Sequence, residues 1–154
     1  MLADDVHKSH NISAVLRTCD AVGVHRIHAI STGGEIRRHH MISGGSQRWV
    51  GIAVHPTSEA AILTLKNQGW HLAAAHPTEG AQDYQSVDYT RKIAILLGSE
   101  LEGLTPSVVK KANEIIAIPT NGFVASLNVS VAAALISSKP VASGKPRTYT
   151  ISPG

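Results

Sequence analysis

Cysteine occurs once in the 154 residues, at Cys19, which excludes an intrachain disulfide framework and a four-cysteine zinc site. A reducing compartment, the cytoplasm, is expected. Aromatic residues are as sparse: Trp49, Trp70, Tyr84, Tyr89, Phe123 and Tyr149 make up the whole set. They are too few and too scattered for a base-stacking platform of the kind that grips single-stranded nucleic acid. Long apolar runs are missing too. Ile93 to Leu97 and Val131 to Ile136 fall far short of the roughly 20 residues that cross a bilayer. The start Met-Leu-Ala-Asp-Asp lacks the basic opening of a signal peptide. A soluble cytoplasmic protein with no membrane partner is the expectation.

What is present describes one domain. With 43% hydrophobic and 16% charged side chains over 154 residues, the chain can bury roughly 70% of its unfolded surface, which rules out disorder and fibre. The net charge of +3 is unevenly placed. Residues 31–48 carry Arg37, Arg38 and Arg48 against Glu35, and residues 137–154 carry Lys139, Lys145 and Arg147 with no acid, so the remainder is slightly acidic. Two local basic segments point to an anionic partner met at defined places, polyphosphate or nucleic acid first.

The spacing of Ile12, Val15, Leu16, Cys19 and Val22 predicts a helix capped by Asn11 and stopped by Gly23, with Arg17 off its apolar stripe. Strands are predicted at Val24 to Ile30, Val50 to Val54, Leu72 to Ala75, Ile93 to Leu97 and Ile115 to Ile118. Helices are predicted from Thr57 or Ser58 to Gly69, near Ser107 to Ala112 after Thr105-Pro106, and from about Leu127 to Ile136. Alternating strands and helices imply an α/β fold with a mainly parallel sheet flanked by helices. Ser31 to Arg48 is a connection of eighteen residues, a length that suggests function. Domain limits are set at 1–136, with 137–154, rich in Pro, Ser, Gly and Lys, read as a disordered basic tail.

Ligands of open α/β sheets bind beyond the carboxyl ends of the strands. Three such loops stand out: Ala75-His76-Pro77, Gly98-Ser99-Glu100 and Thr120 to Asn128. Their small residues, and a helix start at Ser126 to Asn128, would let backbone N–H groups approach a ligand closely. The glycine fingerprints of dinucleotide enzymes and P-loop NTPases and the α/β-hydrolase nucleophile elbow do not occur. Nine histidines raise a metal site, yet His7/His10, His25/His28 and His39-His40 have poor spacing for one ion and no carboxylate at a familiar interval. No metal is expected. Taken alone, Arg17 reads as an exposed partner of Asp20.

Together these pieces resemble the SPOUT superfamily of knotted methyltransferases, and within it the TrmH branch of tRNA (guanosine-2′-O)-methyltransferases. The likeness rests on Asn11-Ile12-Ser13-Ala14-Val15-Leu16-Arg17-Thr18-Cys19-Asp20-Ala21-Val22-Gly23, on Ile95 to Leu104 with Gly98-Ser99-Glu100-Leu101-Glu102-Gly103, and on Ile118-Pro119 with Ser126-Leu127-Asn128-Val129-Ser130. Ser43 to Val50 resembles the branch's tRNA-engaging loop. The match runs from about Val6 to Ile136.

The resemblance implies a deep C-terminal trefoil knot from Ile118 through the last helix, and S-adenosylmethionine held by Ala75, Gly98, Glu100, Ile118, Ser126 and Leu127. It implies methyl transfer to a ribose 2′-hydroxyl of a tRNA guanosine in the D loop. Arg17 would hold the substrate phosphate, its part as a base left open because a guanidinium gives up its proton reluctantly. Asn11 and Asn128 would orient Arg17 and the ribose, Ser126 would support that network, and Glu100 would shape the site. Arg37, Arg38 and Arg48 would contact tRNA phosphates. A homodimer is implied, each site completed by the partner chain. The family's helical arm before its first strand, here expected to end near Val6, and its long basic helix beyond Ile136 have no counterpart in this sequence. Two alternatives therefore stay open: a nonenzymatic S-adenosylmethionine or RNA binder, and an enzyme of another tRNA or rRNA site.

Overall fold

Apolar residues at helical spacing carry the first element further than its capping signals suggest. In the computed structural model, which describes residues 5–31, 50–99, 102–120, 127–139 and 148–151, helix α1 runs Asp5–Ala21. Asn11 therefore lies inside the helix and does not cap it, and Val6 is helical where a strand end was expected. His7-Lys8-Ser9-His10 contains neither Pro nor Gly, so nothing in it stops a helix that the following apolar stripe stabilises. The helix ends as predicted. Gly23 takes φ +73°, and Val24 N–H donates to Cys19 O at 2.8 Å, the closing bond of a left-handed glycine cap. That bond holds Val24 in the turn, so the first strand begins two residues later than expected.

Strand β1 (Arg26–Ile30) is followed by β2 (Gly51–His55), α2 (Ser58–Asn67) and β3 (His71–Ala75). Then come β4 (Gln82–Asp83), β5 (Ile93–Leu97), α3 (Pro106–Lys111), β6 (Glu114–Ala117), α4 (Val129–Ser137) and β7 (Thr148–Ile151). The helix starts are chemically explicit. Thr57 accepts from Ala60 N–H at 3.2 Å, Thr105 caps α3 with Pro106 in its first turn, and Asn128 caps α4. The two-residue β4 carries no apolar pattern and could not be anticipated.

All strands join one sheet of order β2-β1-β7-β5-β3-β6-β4, every pairing parallel. The α/β expectation with a parallel sheet flanked by helices holds. The implied knot turns on threading that includes residues 121–126, outside the described residues. The disordered-tail reading does not hold for Thr148–Ile151, which pair with β1 on one side and β5 on the other. Composition predicted disorder because Pro, Ser, Gly and Lys dominate 137–147. The four β-prone residues that follow are too short a run to register.

Burial on both faces explains the unbroken apolar runs. All five residues of β5 are buried. Ile93, Ile95 and Leu97 meet Val15 and Cys19 of α1 and Ala133 and Ile136 of α4, while Ala94 and Leu96 meet Ile62, Leu65 and Val108 of α2 and α3. Cys19 is fully buried, and burial pushes its thiol up to about 12. It is a packing residue, not a nucleophile.

One polar pair lies within this frame. His28 Nδ1 and His55 Nε2 are 2.8 Å apart, one ring donating to the other between β1 and β2, and His28 is only 2% exposed. Burial, then the nearby His55 and Arg26, push the His28 imidazole down from 6.5 to about 4, and burial also lowers His55. The unfolded chain thus takes up protons between pH 6.5 and 4 that the folded chain refuses. This stabilisation is complete above pH 6.5 and lost as pH falls towards 4, on the order of 2–3 kcal/mol for His28. The urea midpoint should therefore drop between pH 7.5 and pH 4.5, and His28→Gln should shrink that drop. An undiminished drop in the variant would assign the proton uptake to other groups.

Candidate active site

Register aligns the carboxyl ends of the central strands. Ala75 stands level with Leu97 of β5 and Ile116 of β6, so His76, Gly98 and Ile118 leave the sheet together on one edge. His76 N–H donates to Ile116 O at 2.9 Å, tying the exit of β3 to β6. Ala75, Gly98 and Ile118, predicted far apart in sequence as ligand contacts, are thus brought to one edge, each half-buried.

Gly98 is there because nothing larger fits. A Cβ on it would lie 2.1 Å from the carbonyl carbon of Gly103 and 2.3 Å from the nitrogen of Leu104. The chain that leaves β5 folds back across it: Gly103 N–H donates to Ser99 O at 3.0 Å, and Glu102 N–H to Ser99 Oγ at 3.1 Å. Gly103 takes φ +66°, a conformation that favours glycine, and Leu104 is buried behind it. Ser99 and Gly103, which hold this loop closed, stand in the strand-end loop and motif quoted from sequence, but neither is given that role there. The spacing Gly98-x₄-Gly103 was the available signal.

At the start of α4, Asn128 Oδ1 accepts from Ser130 N–H at 2.8 Å and from Ser130 Oγ at 2.5 Å. Its carboxamide oxygen is thus committed to the cap. Leu127 before it is half-buried, while Asn128 is exposed. Glu100 and Ser126, and Arg37, Arg38 and Arg48 of the basic connection, lie outside the described residues. Asn11 is placed by its backbone alone, on α1.

Arg17 is exposed on α1, beside neighbours Val15, Leu16 and Cys19 that are buried. Among the described residues no hydrogen bond or ion pair holds it, and the expected pairing with Asp20 is not formed. Its position along the helix matters. α1 ends at Ala21 and β1 begins at Arg26, so the helix delivers its carboxyl end to the amino edge of the sheet. Arg17 sits about one turn before that end, nearer the amino edge of the sheet than the edge that gathers Ala75, Gly98 and Ile118.

A cofactor with many hydrogen-bonding groups could be held at that edge by backbone N–H and C=O groups of Ala75, Gly98, Ile118 and Leu127, with no metal required. Among the described residues no three His, Cys, Asp or Glu side chains form a metal cluster. The histidine pair that does form, His28 with His55, joins residues too far apart in sequence for any spacing rule to couple them. Among the described residues no helix is long and apolar enough to cross a membrane.

Comparison with known proteins shows the family and the fold. The family model described as SpoU rRNA Methylase family matches residues 1–138. A tRNA (guanosine(18)-2′-O)-methyltransferase of Escherichia coli (strain K12) is 45% identical over 133 residues, 86% of this chain and 58% of that protein. This chain therefore spans a little over half the length of that relative. Among solved structures, a TrmH/SpoU tRNA modifying enzyme of A. aeolicus superposes with TM-score 0.71 at 34% identity, covering 84% of this chain and 66% of that one. An AdoMet-bound rRNA methyltransferase from Sinorhizobium meliloti gives TM-score 0.72 at 27% identity, covering 84% and 50%. With a model that matches nearly its whole length and a fold shared with these enzymes, the chain belongs to the SpoU rRNA methylase family.

Proposed function

We propose that this chain is an S-adenosylmethionine-dependent methyltransferase that modifies a ribose 2′-hydroxyl of tRNA, at a guanosine of the D loop. The observation that carries the reading is the strand-end edge: Ala75, Gly98 and Ile118 converge there, and Gly98 is sealed by the backbone of Gly103 and Leu104. The relatives' own activities, tRNA guanosine methylation in Escherichia coli and AdoMet binding in the Sinorhizobium meliloti enzyme, support the same assignment.

The fit is chemical. The tight backbone crossing at Gly98 fixes where the main-chain groups of this loop stand, which suits a ligand read by close backbone contact; Ala75, Gly98, Ile118 and Leu127 would hold it, with Glu100 and Ser126 completing the pocket. The cofactor supplies a sulfonium methyl that is already electrophilic, so what the protein adds is alignment of the ribose oxygen and acceptance of its proton. Arg17 would anchor the phosphate beside the target ribose, a task suited to a guanidinium fork. Asn11 and Asn128 would orient Arg17 and the ribose. Arg37, Arg38 and Arg48 would add phosphate contacts from the long connection.

The placement of Arg17 near the amino edge supports a site assembled from two copies. Within one chain α1 carries it away from the cofactor edge, so a second chain would supply the arginine, making the working unit a homodimer. An exposed arginine without a partner among the described residues, on a helix whose Val15, Leu16 and Cys19 are buried, suits a surface that meets another molecule.

Transfer of labelled methyl from S-adenosylmethionine to unmodified tRNA, followed by nucleoside analysis, should yield 2′-O-methylguanosine. No incorporation by folded protein would favour the nonenzymatic binder, and another methylated nucleoside would move the target site. Gly98→Ala should abolish cofactor binding by calorimetry, whereas Arg17→Ala should bind the cofactor and lose transfer. An equimolar mixture of the two variants should recover about a quarter of the original activity if chains pair at random and each mixed dimer keeps one intact site. No recovery would put Arg17 in the site of its own chain. Arg37→Ala with Arg38→Ala should flatten the salt dependence of tRNA affinity by about two units of log–log slope. An unchanged slope would remove that connection from the interface.

A further inference from the structure

The chain that leaves β5 is held by burial at its two ends. Leu97 is buried in the sheet between β3 and β7. Leu104, where the chain rejoins the core, is buried with Ile62, Leu65 and Val108 on the α2 and α3 side, and Thr105 caps α3 directly after it. Between these anchors Ser99 and Gly103 are half-buried and Glu102 is exposed. Segments with few buried apolar contacts open locally at small cost, so among the described residues what closes this stretch is polar.

Two hydrogen bonds close it, and both end on Ser99. Gly103 N–H donates to the Ser99 carbonyl at 3.0 Å and Glu102 N–H to the Ser99 hydroxyl at 3.1 Å, and Ser99 and Gly103 pair as an isolated antiparallel bridge. The first bond is main chain, and any residue at position 99 could make it. The second exists only because position 99 carries a short side chain with an acceptor oxygen. Its effect reaches Gly98, where a Cβ would lie 2.1 Å from Gly103 C and 2.3 Å from Leu104 N. That crossing of backbones is complete only while the chain from Ser99 to Gly103 is folded back.

A site read by main-chain groups has no side-chain rotamers with which to adapt to its ligand. Its apparent dissociation constant is the intrinsic one divided by the fraction of free molecules whose loop already stands in the binding geometry. We propose that Ser99 is a positioning residue of the cofactor site: by accepting the Glu102 N–H, its hydroxyl keeps the loop from Gly98 to Leu104 closed before the cofactor arrives, and so sets cofactor affinity. The inference rests on the S-adenosylmethionine reading of the strand-end edge and deepens it. Alanine at position 99 removes the acceptor and threonine keeps it. The Glu102 N–H that alanine releases belongs to an exposed residue and can turn to water, so the variant folds. What is lost is one net hydrogen bond, roughly three- to tenfold in the ratio of closed to open loop. Where the closed loop is favoured only a few-fold in the free protein, that lowers cofactor affinity roughly threefold.

The test compares full-length wild type, Ser99→Ala and Ser99→Thr. In the free proteins, amide exchange at Glu102 and Gly103 should quicken several-fold in Ser99→Ala while the amides of β5 keep their protection. Calorimetry with S-adenosylmethionine should show roughly threefold weaker binding, and methyl transfer to tRNA should show the KM for the cofactor raised by the same factor with kcat at saturating cofactor unchanged. A variant that was simply less folded would lose kcat and keep its KM. Ser99→Thr should restore both exchange and affinity. Quickened exchange with unchanged affinity, unchanged exchange, a loss confined to kcat, or a threonine variant no better than alanine would each overturn the role of Ser99. Wild type that takes up no S-adenosylmethionine would instead overturn the reading of the edge itself.

Discussion

β3 shares its backbone hydrogen bonds with β5 on one side and β6 on the other, in registers that set Ala75 opposite both Leu97 and Ile116. Because all three strands run the same way, their carboxyl ends cannot be staggered without moving an apolar face into solvent. Leu72 and Ala74 would leave the core of α2 and α3, and Ala73 that of α1 and α4. The position of every residue beyond the strands follows. Three loops from three parts of the chain are delivered to one edge by apolar packing, in which Ala75 and Ile118 themselves take part.

That constraint also explains why the closure at Gly98 must be made of backbone. A loop leaving a fully buried central strand has helices on both sides and little lateral room, so the chain turns back upon itself. Gly98 and Gly103 permit this, one by lacking a Cβ where the backbone crosses and the other by accepting φ +66°. A site built in this way recognises by shape and main-chain hydrogen bonding. Its side chains are left for the substrate, which accords with a reaction that asks more for alignment than for strong acid or base.

Most of the frame was legible in the sequence because it is written in local signals. Ile93 to Leu97 reads as a strand buried on both faces, and Thr57, Thr105 with Pro106, and Asn128 announce helix starts with side chains that do bond the backbone there. The failures share a cause: each is decided by partners distant in the chain, or by the absence of a stop. α1 runs back through Asn11 because no residue breaks it. His28 and His55 are 27 positions apart and meet only through strand pairing. β7 is ordered by β1 and β5, from which it is separated by most of the chain, and its own composition says nothing of them. For the site, Ala75 and Gly98 were singled out by asking where strands end and Ile118 only by the family resemblance, whereas the loop-closing roles of Ser99 and Gly103 required coordinates.

Thr148 and Thr150 show what that dependence on distant partners costs. Central strands of parallel sheets are usually continuous aliphatic runs, as β5 is, since both faces are covered. β7 places two hydroxyls on the face shared with Ala94 and Leu96. One hydroxyl returns its cost by reaching the Arg26 carbonyl and the other does not. At position 150 stability alone would be better served by valine, which keeps the shape and removes the desolvated hydroxyl. The strand completes the sheet by pairing along both sides, and the helical layer of α1 and α4 joins the same two halves.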